Sequence, residues 1–310
     1  MTSPVVPFTG RALLARGSAA RQAGKRQQAR ILLTAAIRQC RSEPDPAGRI
    51  RAQTYLAGLW REQGDYRRAG LLLALTLTAA ENAFGPDSLT AAAVCNEWGV
   101  LGKYTGRFDH AQTLYHRALT IYESVHGPDH DSVGTVCHNL GGLAHARGHH
   151  KEGEPWARRS VEIRTRLHGP DHPLTAADTA AWAALLDGCG RHDEAQTSLH
   201  RALDIFTAVH GPDHYEVASA THNLAALHHR HGDLDTAIHY YTQALTIKEH
   251  LLGPHHPELA TTLVNLAAAW RAHRDPARAA DHYTRAAALL RGHVVSSHPT
   301  LVLAEQGSVR

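Results

Sequence analysis

The sequence predicts an all-α fold, a solenoid of about seven antiparallel helix pairs stacked one on the next. Three observations predict it. A Gly-Pro pair recurs at Gly85-Pro86, Gly127-Pro128, Gly169-Pro170, Gly211-Pro212 and Gly253-Pro254, each step being 42 residues. A second glycine column, Gly64, Gly106, Gly148, Gly190 and Gly232, keeps the same step. Between the columns lie segments rich in alanine and leucine, with apolar residues at helical spacing. A length of 310 residues would otherwise suggest two domains. Repetition instead makes one continuous body over 1–310, because each unit needs only its neighbours.

The elements follow in order. Within 214–252, Val217, Thr221, Leu224, Ala225 and His228 fall on one helical face before Gly232. After that glycine, Leu234, Ala237, Tyr241, Ala244, Leu245 and Lys248 run along a second helix. Gly232 and its equivalents end the first helix in a left-handed residue. Small residues at Ala69, Ala111, Gly153, Ala195, Ala237 and Ala279, and again at Ala118, Ser160, Ala202, Ala244 and Ala286, let helices approach closely. The run HGPDH at 126–130, 168–172 and 210–214 stops the second helix and starts the next unit. Asp129, Asp171 or Asp213 is expected to cap the next N-terminus, and Pro173, Pro257 and Pro299 suit a first turn. Pro155 is expected to kink its helix or delay its start. In register the units are 4–45 (degenerate), 46–87, 88–129, 130–171, 172–213, 214–255 and 256–297, followed by a capping helix over 298–310. Lys25, Arg26 and Arg30 at the front, and Glu305 to Arg310 at the back, suit ends that face water.

The stretches HNLGGLAHARG (138–148), HNLAALHHRHG (222–232) and VNLAAAWRAHR (264–274) carry a resemblance. So do FDHAQTLYHRALTIYESVHGPDH (108–130) and LDTAIHYYTQALTIKEHLLGPHHP (234–257). The chain resembles tetratricopeptide repeats of the kinesin light chain type, whose unit is 42 residues rather than 34. The resemblance implies a right-handed superhelix whose first helices line a concave wall. It further implies an asparagine there that bonds the backbone of an extended peptide. That asparagine falls on Asn139, Asn223 and Asn265, whereas Ala15, Tyr55, Glu97 and Ala181 hold the column elsewhere. An amide matches a peptide bond in both donor and acceptor. Asn96 lies beside Glu97, about 100° round the helix.

Six residues on, a second column reads Arg21, Arg61, Lys103, His145, Asp187, His229 and Arg271. Such a stripe is expected to suit an acidic peptide or a C-terminal carboxylate. His138 and His222 precede two of the asparagines and lie seven residues before His145 and His229. Two helical turns, about 10 Å, separate each pair, too far for one zinc ion. The corner histidines of the HGPDH runs are expected to be structural. Cys95 and Cys137 share a packing column and are expected to be small apolar fillers.

The remaining features exclude more than they assign. The net charge of +3 demands neither nucleic acid nor an anionic membrane. No apolar stretch approaches the roughly 18 residues of a membrane span, no secretory signal is evident, and no CxxC occurs. A cytoplasmic setting is expected. Phosphate-loop, dinucleotide, nucleophile-elbow and HExxH motifs are absent, so no catalytic residue, metal or cofactor is assigned. The expected function is a scaffold or adaptor that holds an acidic peptide or protein segment. The alternatives are an enzyme or enzyme subunit that uses the His-rich groove, and a self-assembling scaffold.

Overall fold

A computed structural model describes residues 8–308, and among them it holds fifteen helices and no strand. They are α1 (Gly10–Gln22), α2 (Arg26–Ser42), α3 (Pro46–Glu62), α4 (Tyr66–Phe84), α5 (Leu89–Thr105), α6 (Phe108–His126), α7 (Asp131–Ala146) and α8 (His150–His168). There follow α9 (Pro173–Gly188), α10 (His192–His210), α11 (Tyr215–Arg230), α12 (Leu234–Leu252), α13 (Leu259–Ala272), α14 (Pro276–Leu290) and α15 (Pro299–Ser308). Residue 4, where the first unit was expected to begin, and Val309 and Arg310 of the expected cap lie outside the described residues.

Each odd-numbered helix packs on the even helix that follows it and also touches the next odd helix. Even helices make no such contact with one another among the described residues. The odd helices therefore lie on the short arc, which is the inner wall, and the even helices fan out behind them. The small columns make this possible. Ala69, Ala111, Ala195, Ala237, Ala118, Ala202, Ala244 and Ser160 are all buried, and the larger Tyr115, Phe206 and Tyr241 fill the spaces between. A Cβ on Gly99 would stand 2.5 Å from the Tyr115 ring, so glycine there makes room for the aromatic. Burial of each such ring stabilises by about 2–3 kcal/mol. Cys95 and Cys137 are fully buried, and burial pushes their thiols up to about 11, which removes them from thiolate chemistry.

The two glycine columns serve different backbones. Gly106 closes α5 at φ 80°, ψ 10°, the left-handed cap. Gly127 closes α6 at φ 83°, ψ 170°, a region that essentially only glycine enters. In the unit of α13 and α14 the column of Gly106 holds Arg274 instead, at φ 68°.

Two local expectations are corrected. Asp129, Asp171 and Asp213 do not cap the following helices. The caps are His130, His172 and His214, whose Nδ1 atoms accept from the backbone N–H of Ser132 (3.2 Å), Leu174 (3.2 Å) and Glu216 (3.3 Å). The histidine, not the aspartate, is the last extended residue, and its ring then stacks on the histidine four residues back. His126 and His130 are 4.1 Å apart, and His210 and His214 are also 4.1 Å apart. The structural reading of these corners thus has a specific cause. Of the two effects expected of Pro155, a kink or a delayed start, the delay does not occur: α8 runs from His150 through it to His168.

The coil also closes on itself. Arg26 Nη1 donates to the Leu251 carbonyl (2.8 Å), so this front-end cation is not left to water. His256 Nε2 donates to the Glu62 carbonyl (3.0 Å) while its Nδ1 accepts from Glu258 N–H (3.2 Å), which fixes the tautomer. Val295 N–H donates to the Thr105 carbonyl (3.0 Å), and His298 lies against Phe108. Turns of the first units therefore carry the corners of the last ones.

Candidate functional site

The inner wall is built by α5, α7, α9, α11 and α13, and the three asparagines differ on it. Asn139 is buried, and its Nδ2 donates to Asn96 Oδ1 of the preceding unit (2.9 Å). Asn265 Nδ2 makes the same kind of bond to His222 Nε2 (3.3 Å). The pattern is an amide ladder between units: the asparagine column bonds the side chain that lies 43 residues earlier. At Asn223 that position is Ala180, which offers nothing. Asn223 is half-buried, and its amide makes no hydrogen bond among the described residues. Asn96, read from sequence as turned away, is the partner that takes up Asn139.

The histidines beside them are also engaged. His138 Nδ1 lies 2.8 Å from Asp178 Oδ1. Asp178 is itself buried, accepts from Ser160 Oγ, and faces Arg164 Nε at 3.3 Å. His222 Nδ1 faces Thr262 Oγ1 at 3.1 Å, and burial holds the ring well below the usual imidazole range. Neither histidine is a free groove contact in this conformation.

The expected basic stripe is largely neutralised. Arg21 Nε donates to Glu62 (3.1 Å), and Arg61 Nε donates to Glu97 (2.8 Å). Glu97, which replaces an asparagine, is thereby the counter-ion of the preceding unit. Burial lowers His145 to about 4, and burial also lowers His229, so both stand neutral at pH 7. Asp187 interrupts the column as a buried carboxylate. Lys103 and Arg271 make no ion pair among the described residues. Lys103 Nζ sits 5.4 Å over the Tyr104 ring, and burial lowers its pKa. Arg271 is exposed, over the Tyr283 ring at 5.6 Å.

Opposite walls meet at the centre. Tyr215 Oη of α11 donates to Glu258 Oε1, and Tyr104 of α5 lies close enough for Glu258, followed by burial, to raise its phenol. Burial likewise lowers Lys248 and raises Glu216. Tyr104, Tyr215 and Glu258 so bridge helices from separate units across the hollow. Sequence reasoning missed these three and Asp178. Nothing local marks them, because their partners come from other units. No described helix is long and apolar enough to cross a membrane.

Comparison with known proteins agrees with this architecture. A tetratricopeptide-repeat family model matches residues 96–152 and 177–250, and a second model of the same description matches 133–174. The crystal structure of a Rap protein complexed with Competence and Sporulation Factor is similar over 97% of this chain and 96% of that one, at 12% identity and TM-score 0.59. A Signal Transduction ATPase with Numerous Domains from Pyrococcus horikoshii, with a tetratricopeptide repeat sensor, is similar over 89% of this chain and 42% of that one, at 15% identity and TM-score 0.54. A kinesin light chain from Podosopora anserina with nearly identical repeats covers 66% of this chain and 95% of its own, at 20% identity and TM-score 0.45. At these identities the likeness to the first two is one of fold alone. No curated protein matches.

Proposed function

Starting from the chain's place among the tetratricopeptide-repeat proteins, we propose that it is a binding scaffold whose inner wall holds an extended peptide or protein segment. The observation that carries this reading is Asn223. Its two counterparts spend their amides on the neighbouring unit, and Asn223 keeps both its donors and its acceptor for a peptide bond. An acidic side chain of the ligand is met by Arg271, the exposed cation of the stripe without a carboxylate. Arg21 and Arg61, already paired, contribute little net charge. A Rap protein of similar fold has been solved with its factor bound, which supports a ligand-holding use of the fold.

A random peptide library selected on the immobilised protein tests the reading. Selected peptides are expected to be enriched in Asp and Glu, to lose at least tenfold in affinity on Asn223→Ala, and to weaken as salt rises. Asn139→Ala is expected to act mainly on stability. Absence of any selected peptide, or binders indifferent to Asn223→Ala, would sink the proposal.

A further inference from the structure

We infer that Asp187, His192 and His231 form a site for one divalent transition-metal ion of the zinc class, clipping two adjacent helix pairs at their turns. The three residues come from the end of α9, the start of α10 and the residue after α11. One ligand atom from each lies within 4.8 Å of the others. Asp187 Oδ1 is 2.5 Å from His192 Nδ1 and 3.9 Å from His231 Nε2, and the two imidazoles meet edge to face at 4.4 Å.

Chemistry and access both fit. Two imidazoles and a carboxylate are a donor set that zinc and its neighbours accept, leaving a fourth position for water or an outside ligand. With bonds of about 2.0–2.2 Å, tetrahedral donors stand roughly 3.3–3.6 Å apart. The present separations of 2.5 and 3.9 Å bracket that range. The carboxylate is 1% exposed, whereas His192 and His231 are 43% and 40% exposed, so the site is anchored below and open to solvent above. The other carboxylate oxygen, Oδ2, lies against the Arg230 guanidinium. Asp187 and His231 both sit at helix C-termini, where the carbonyl dipoles favour a cation. One unit earlier the same three columns hold His145, His150 and Cys189, and these do not converge in the same way. The site belongs to this unit junction and is not a by-product of a His-rich chain.

The test uses the untagged full chain, stripped with a chelator, titrated with Zn2+ by calorimetry and with Co2+ by visible absorption. One equivalent is expected, with the spectrum of a four-coordinate Co2+ complex and a rise in Tm. His231→Ala and His192→Ala, both at exposed positions, are expected to weaken binding at least tenfold and to abolish the Tm rise. The double variant His126→Ala/His130→Ala, at an outer corner, controls for unspecific histidine binding and is expected to change neither. No stoichiometric ion, or stoichiometric binding that survives both single variants, would overturn the inference.

Discussion

Replacing Arg164 by Met removes the cation from a buried ionic cluster and keeps most of the side-chain volume. Arg164 is buried on α8, where Nε faces Asp178 at 3.3 Å and Nη2 donates to Thr135 Oγ1 at 2.7 Å, and it also pairs with Asp131. Asp131 is 46% exposed and can be resolvated, but Asp178 at 6% cannot. Breaking a buried pair from one side costs about 3–5 kcal/mol, because the remaining charge is stranded. Asp178 keeps Ser160 and His138, so the lower end, about 3 kcal/mol, is expected at the α8–α9 contact. Repeat arrays open locally, and a single global midpoint blurs such an effect. Native-state hydrogen exchange of α8 and α9 amides is therefore the assay, and about 3 kcal/mol corresponds to roughly 100-fold faster exchange. Adding Asp178→Asn removes the stranded charge and is expected to recover most of the loss. Exchange in Arg164→Met within threefold of the parent protein would refute the reasoning that Asp178 needs this cation.

Three further outcomes follow from the same structure. Acidification is expected to loosen the inner wall. His145 is lowered from an unfolded value near 6.5 to about 4, so its contribution is whole above pH 6.5 and fades as pH falls towards 4, by about 2 kcal/mol at pH 5; His145→Gln should flatten that limb of a stability–pH curve. Arg274→Gly relieves a left-handed backbone that arginine occupies at φ 68°, and a gain of about 0.5–1 kcal/mol is expected in urea unfolding of the C-terminal units. Gly106→Ala and Gly127→Ala both strain a positive φ, but a Cβ at 106 also meets His298 Cδ2 at 2.8 Å and Val295 Cγ2 at 2.9 Å. Only Gly106→Ala should expose the seam to protease in limited digestion, whereas the Cβ at 127 meets nothing within 4 Å.

Much of this protein was legible because its punctuation is local. A glycine at φ 83° before a proline stops a helix whatever surrounds it, so five Gly-Pro pairs 42 residues apart announce the helix pairs from the sequence alone. The cap was misread by one residue, from Asp129 to His130, because local sequence does not show which residue stays extended. The ladder was within reach: Asn96 with Asn139, and His222 with Asn265, are visible once adjacent columns are compared one unit apart.

What lay beyond the sequence is the pairing that curvature creates. Whether Arg61 faces a ligand or Glu97, whether Asn223 finds a partner, and whether the Glu62 carbonyl meets His256 194 residues away all depend on the rise and turn added at every unit. Those increments come from packing between neighbouring units, and small differences accumulate along the stack. Composition and spacing therefore determined that a coil of helix pairs would form. Only the tertiary structure decided how tightly it winds, which charges cancel inside it, and which amide is left free.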